Sequence, residues 1–520
     1  MNVMPYILIL IILLSLLLSY LSMISEKNSL EIVRDMGLGY NLGNTFDSYS
    51  YDLEEINTPE EQITLNGNTL PTKNMIKKIK KYGFKTIRFP VTWMNFIDNE
   101  GNINSDWMLL VKGVIDLIIK EKLYCILNIY NDGYYENWLS WGIEAKDYYI
   151  NLWTQIANEF KDYNHYLVFE SMNEVYFYNP ITYLYDFDLL LKLNQAFVDT
   201  IRNSGGNNIE RLLIIAGASD ELDMTCSSEY KIPVDPSNKL AVSIHYYVPL
   251  SFTQELYFEP YTMTDDYGNI YTYEPALSWG NQDEYFQLIT DFEIMKNTFV
   301  KKGIPVIITE VGVLTEEKKK LESIREYLYT VFSISSDYDG IMSCLWDTSN
   351  KEYGDMNYYD RENDIWYDNK LKENFIEISK GKYIKPTEFY IKTHLETVSI
   401  PYYEGVLMMK IGARKALKII LNVKLTGILF IDLDFIIFTY DAIGRIFEIN
   451  FEKSDGKKQY DGTYVFTIDV SKIKLYEYLQ VSKYYGEQFI TLNNLTVEFE
   501  ESLQSIDYTS FKNAISNLVY

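Results

Sequence analysis

The sequence predicts an α/β protein: a (β/α)8 TIM barrel followed by a C-terminal antiparallel β-sandwich. Two observations carry this. From residue 37 to about 350, eight short apolar runs alternate with longer runs of helical periodicity. Near-continuous apolar strands alternating with helices imply a parallel sheet covered on both faces. After about residue 385, apolar and polar residues alternate at a period of about two, the pattern of half-buried antiparallel strands. An open doubly wound sheet is the competing fold for the first part, but no Gly-x-Gly-x-x-Gly follows the first strand.

Taken in order, the chain opens on "YILILIILLSLLLSYLSM" (6–23), which carries no charge. It is long enough to cross a hydrocarbon core of roughly 30 Å as a helix, and it also fits a signal-peptide core. No Lys or Arg precedes it and no Ala-x-Ala site follows it. Residues 1–26 are therefore expected to direct export, either as a cleaved signal or as a membrane anchor through 6–23, making the protein secreted or surface-bound. The predicted barrel strands are 37–44, 86–91, 125–131, 167–174, 212–218, 240–247, 305–312 and 340–348. Between them, "TKNMIKKIKKYG" places Met75, Ile76 and Ile79 on one helical face before a Gly stop. "WMLLVKGVIDLIIKEK", "YINLWTQIANEFKDY" and "LLLKLNQAFVDTIRNSGG" read as further helices. The catalytic unit is expected over 27–385, the sandwich over 386–502, and a short helix or frayed tail over 503–520.

Composition narrows the partners. A formal net charge of −26 repels phosphate backbones, so no nucleic-acid partner is expected. The three Cys (125, 226, 344) and three His (165, 245, 394) show no metal-ligand spacing, and an odd Cys count leaves at least one free thiol. No metal or cofactor is expected. The 47 Tyr supply flat amphipathic faces that can stack on sugars, although Ile, Asn, Lys and Tyr all run high together, as a coding bias would also produce.

In a parallel barrel the residues able to do chemistry sit at the C-terminal strand ends. Here those ends carry Asn44, Arg88, Tyr130 and Asn131, Asn173 and Glu174, His245 and Tyr247, Glu310, and Trp346. Singly, each has a structural reading: an ion-pair partner, a core imidazole, a core aromatic. Jointly they place two carboxylates, Glu174 and Glu310, across one barrel mouth. That arrangement suits acetal hydrolysis, where the glycosidic oxygen needs a proton and the anomeric carbon a nucleophile or an activated water. Arg88 can keep one carboxylate ionised while the other stays protonated as an acid. Trp346 offers an aromatic floor for a sugar ring.

Over about residues 30–385 the chain resembles glycoside hydrolase family 5, especially its endo-β-1,4-glucanase branch. The resemblance rests on motifs in the family's order: "GLGYNLGNTFDS", "GNTLPTKNMIKKIKKYGFKTIRFPVTW", "LVFESMNE", "FVDTIRNSGGNNIERLLIIAG", "VSIHYYVP", "IPVIITEVG" and "CLWD". It implies that Glu174 is the acid/base, Glu310 the nucleophile of a retaining mechanism, and Asn173 a ligand of the sugar 2-hydroxyl. It further implies that His245 and Tyr247 lie near the nucleophile, that Trp346 is a subsite platform, and that the partner is a β-glucan polysaccharide. One departure stands out. After the third strand the family usually has Asn-Ile-His-His, whereas "LNIYND" puts Tyr130 and Asn131 there. A catalytically impaired glycan-binding barrel, or activity on xyloglucan or mannan, is therefore the alternative reading. Subsite shape is expected from "DGYYENWLSWG" (132–142) and the long segment 251–280. In the sandwich, Tyr460, Tyr464, Tyr484 and Tyr485 are candidate sugar-binding aromatics, with a purely structural sandwich equally compatible.

Overall fold

The structure, a computed structural model, describes residues 27–48, 56, 58–130, 143–177, 185–254, 276–315, 318–349, 355–392 and 508–519. It also gives the strands of a hairpin within 261–273 and of the region 397–506. The expected export segment, Asn131, Tyr460, Tyr484 and Tyr485 lie outside the described residues, as does the loop 132–142. Among the described residues no helix is long and apolar enough to cross a membrane.

Eight parallel strands close into a barrel: β1 (Gly39–Asn41), β2 (Thr86–Phe89), β3 (Tyr124–Asn128), β4 (Leu167–Glu170), β5 (Leu213–Ile215), β6 (Leu240–His245), β7 (Val306–Val311) and β8 (Ile341–Leu345). Each pairs with its neighbours in sequence, and β8 returns to β1 through Gly39↔Cys344 and Tyr40↔Leu345. Gly39 is required there, because a Cβ would overlap the Cys344 side chain across the interior.

Helix α1 (Ser29–Met36) precedes the barrel, and α2 (Lys73–Lys81), α3 (Ser105–Lys120), α4 (Ile143–Phe160), α5 (Phe187–Asn203), α6 (Gln282–Thr298), α7 (Leu321–Asp337) and α8 (Asn369–Ser379) surround it. Only β5 lacks a full helix after it; a short turn, Leu222–Thr225, takes its place. Met75, Ile76 and Ile79 of α2 are buried, as the sequence pattern requires. Helix α1 starts with a capping box between Asn28 and Glu31. Its Ile32, Val33 and Met36 plug the lower barrel against Tyr124, Ile126, Val168, Ile214, Ile307 and Met342.

Period-two alternation continues upward from that apolar layer. It turns Asn41, Arg88, Asn128, Glu170 and His245 inward, all of them buried. Glu310 breaks the alternation, since Ile307 already faces inward. Both neighbours of β7 meet an extra residue at Thr309: Ile244↔Ile308 is followed by His245↔Glu310, and Ser343↔Ile308 by Leu345↔Val311. That bulge re-aims Glu310 into the barrel mouth.

Beyond α8 lie two antiparallel sheets, one of five strands and one of four. Strands Tyr390–Lys392 and Gln504–Ile506 pair antiparallel, so the chain enters and leaves this region side by side. Where the sequence suggested a short helix or a frayed tail, α9 (Tyr508–Val519) packs on the barrel. Phe511 and Ile515 are buried, with Phe511 edge-on to Tyr285, and Lys512 pairs with the buried Glu326. Two such side chains contribute about 1.5–3 kcal/mol each in apolar burial.

Candidate active site

Arg88 is the hub of the site. Inward-facing on β2 and inaccessible to solvent, it directs its planar fork at four partners. Nε and Nη2 donate to the two oxygens of Glu170 at 2.7 and 2.8 Å. Nη1 donates to Glu310 Oε1 at 2.7 Å and Asn41 Oδ1 at 3.1 Å, and Nη2 also donates to Asn173 Oδ1 at 2.7 Å. Burial opposes its charge, but the Glu170 and Glu310 carboxylates outweigh that and hold it firmly cationic. A bidentate, fully buried arrangement of this kind fixes geometry as well as charge.

Glu310 sits at the bulge with its side chain 4% exposed. Besides Arg88, its Oε1 accepts from the Tyr130 hydroxyl at 3.3 Å, and its Oε2 accepts from the Tyr247 hydroxyl at 2.9 Å. The carboxylate is thus held from both sides. The Tyr130 ring lies parallel to Trp346, centroids 5.8 Å apart and planes 5° from parallel, with the Arg88 guanidinium 5.7 Å from its centre. The residue at the family's His position therefore reaches the same carboxylate by a phenol.

Glu174 is built differently. It lies beyond the end of β4 at φ +42°, a left-handed conformation uncommon for a non-glycine residue. Its side chain is 38% exposed, and Oε1 lies 2.6 Å from His245 Nδ1. Burial pushes its pKa upward, but His245, and to a lesser degree Arg88, outweigh this and bring it below the usual carboxylate range. His245 Nδ1 also lies 3.5 Å from Glu310 Oε2. Burial alone would lower the imidazole pKa; Glu310, Glu174 and Asp220 together push it up to about 9. These directions favour the proton on His245, with Glu174 as the ionised acceptor beside it.

The structure thus brings together Arg88, Tyr130, Asn173, Glu174, His245, Tyr247, Glu310 and Trp346 as the strand-end reading expected. For Asn44 the structure corrects only the expected strand end. Strand β1 ends at Asn41, and Asn41 takes the interior place, donating to the Thr309 and Leu345 carbonyls at 2.9 and 3.2 Å. Asn44 lies past it in a turn where its N–H donates to Asp47. Asn131 falls outside the described residues. Three residues escaped the sequence reading: Asn41, Glu170 and Asp220. The first two were accessible through alternation, two residues beyond Gly39 and Val168. Asp220 carried no such signal, because it sits in a loop after β5.

One donor atom each of Glu174, His245 and Glu310 lie within 4.8 Å of one another. A cation could in principle use three such donors, but Glu310 already accepts from the Arg88 guanidinium and His245 Nδ1 faces Glu174 at 2.6 Å. Glu174 and Glu310 thus face each other across the mouth as a carboxylate pair, the arrangement acetal hydrolysis uses.

A parallel eight-stranded barrel with this carboxylate pair at its C-terminal mouth defines a glycoside hydrolase. The cellulase profile (glycosyl hydrolase family 5) matches residues 46–352, and the chain belongs to that family. It is 33% identical over 383 residues to endoglucanase A of Clostridium longisporum, covering 70% of this chain and 68% of that one. A broad-specificity endoglucanase from an uncultured bovine rumen ciliate superimposes with TM-score 0.65 at 54% identity, covering 68% of this chain and 99% of that structure. A lichenase variant from Caldicellulosiruptor, in complex with cellotetraose, superimposes with TM-score 0.58 at 29% identity, covering 69% of this chain and 95% of that structure.

Proposed function

We propose that the chain is a retaining, endo-acting β-glycanase that cleaves β-1,4-linked glucan, of cellulose or mixed-linkage type. The observation that carries this reading is the pair of glutamates in two unlike environments. Glu310 is clamped by Arg88, Tyr130 and Tyr247, and Glu174 is open to the cleft with a proton-bearing neighbour. In the first step Glu174 protonates the leaving glycosidic oxygen, drawing on the proton it shares with His245. Glu310 attacks the anomeric carbon, the glycosidic C–O bond breaks, and a glycosyl ester forms. Esterification removes the Glu310 charge, which is the strongest support of the His245 cation. Glu174, now ionised, takes a proton from water, and the resulting hydroxide displaces Glu310 from the sugar.

The Tyr130–Glu310 hydrogen bond bears on the choice between an enzyme and a degenerate binder. A phenol donor keeps the nucleophile in place without titrating in the working range, so the departure from the His pair does not remove the clamp. The related broad-specificity endoglucanases and lichenases support β-glucan as the substrate class. We further read residues 386–502 as a β-sandwich built from the two antiparallel sheets, and residues 1–26 as an export or anchoring segment. The test is reducing-sugar release by residues 27–520 on cellulose-type and mixed-linkage β-glucans, xyloglucan and mannan, with Glu310→Gln in parallel. Release from β-1,4-glucans by the wild type alone is expected. No release by a folded wild type from any of them would overturn the reading.

A further inference from the structure

The acid/base must be aimed, and in this fold it sits beyond a strand end in a strained conformation, so something has to hold it. The loop after β5 does. Ser219 and Asp220 are both left-handed, at φ +52°, and the carboxylate of Asp220 is buried. Its Oδ2 accepts the main-chain N–H of Glu174 at 2.7 Å, and its Oδ1 accepts that of Gly217 at 3.0 Å. The carbonyl of Asp220 accepts the N–H of His245 at 2.7 Å. Its Oδ2 is also 3.9 Å from His245 Nε2, a buried nitrogen with no hydrogen-bond partner among the described residues. One residue in a third loop therefore touches the backbone of both members of the proton-sharing pair and presents its charge to the far side of the imidazole. Val175, the next residue, is tied to the same loop: its carbonyl accepts from Tyr185, whose hydroxyl in turn accepts the Ser219 N–H.

We propose that Asp220 is the positioning residue of the acid/base, one carboxylate that aims Glu174 through its main chain and orients His245 so that Nδ1 faces it. Asp220 does not reach the reacting atoms. It acts through Glu174, so its loss should impair proton donation and leave nucleophilic attack by Glu310 intact. The inference rests on Glu174 being the acid/base.

Leaving-group dependence separates the two. An activated aryl glycoside departs without a proton, whereas cellotetraose needs one. In the full chain, Asp220→Asn is expected to lower kcat/KM on cellotetraose by about thirtyfold, the scale of a misplaced catalytic group. On dinitrophenyl cellobioside it should change kcat/KM by less than about threefold, because that bond cleaves without the acid. Glu174→Ala is the control and should show the same split more strongly. Should Asp220→Asn not fold, Asp220→Gly, which removes the carboxylate and tolerates the left-handed backbone, carries the same comparison. Equal losses on both substrates, or no loss on either, in a folded Asp220 variant would overturn the proposal while Glu174→Ala still splits them. A Glu174→Ala variant without the split would instead overturn the acid/base assignment itself.

Discussion

The ends of β4 and β7 each bring one glutamate to the same cavity, and the fold treats them in opposite ways. Glu310 is nearly sealed, its two oxygens shared among a guanidinium and two phenols. Glu174 keeps more than a third of its side chain exposed and faces an imidazole. Identical side chains thus acquire different chemistry from their neighbours: fixed donors at one end, a proton partner at the other. A nucleophile gains from a locked geometry, and an acid/base gains from a neighbour able to give and take a proton.

Several substitutions would break that contrast, the largest first. Glu310→Gln removes the nucleophile and should lower turnover on every substrate, activated or not, on the order of 10⁴-fold or more; steady-state kinetics on both substrate types checks it. Glu174→Gln should cost about 10²–10⁴-fold on cellotetraose, the usual range for general acid–base catalysis, and far less on an activated aryl glycoside. Arg88→Met strips Glu170 of both its guanidinium contacts and Glu310 of one of its donors, and should destabilise the fold by about 3–5 kcal/mol in urea denaturation. Adding Glu170→Leu should recover much of that loss, because it removes the orphaned charge.

The pH dependence sharpens the same contrast. The folded pKa of His245, about 9, lies above its ordinary value of 6.5. Its contribution to stability is therefore full below pH 6.5 and is lost as pH rises through about 9. At about 1.4 kcal/mol per unit, this amounts to at most about 3–4 kcal/mol. Denaturation of the wild type at pH 6 and pH 9.5 should show the slope, and His245→Asn should flatten it. The smallest effect belongs to Tyr130→Phe. Its 3.3 Å hydrogen bond is long, so about 1 kcal/mol, near fivefold in kcat/KM, is expected.

The contrast was only half legible in the sequence. Strand ends are readable because apolar runs stop there, and this placed Arg88, Glu174, His245, Glu310 and Trp346 on one rim. The direction of each side chain depends on strand parity and on where strands begin. The apolar run continues to Asn44, past the paired residues, whereas the strand ends at Asn41, which holds the interior site. Glu310 is inward only through the bulge at Thr309, which no periodicity announces. Asp220 acts from a loop, where neither period nor burial pattern exists to reveal it. The terminal helix was ambiguous because its apolar face gains meaning only from Tyr285 and Glu326, more than a hundred residues away in the chain.

The most direct test of the division of labour is to trap the intermediate. The wild-type enzyme would be incubated with a 2-deoxy-2-fluoro cellobioside bearing an activated leaving group, then digested and analysed by peptide mass spectrometry. The account predicts a fluorocellobiosyl adduct on the peptide containing Glu310, absent from Glu310→Gln. An adduct on Glu174, or rapid hydrolysis with inversion and no adduct at all, would contradict it.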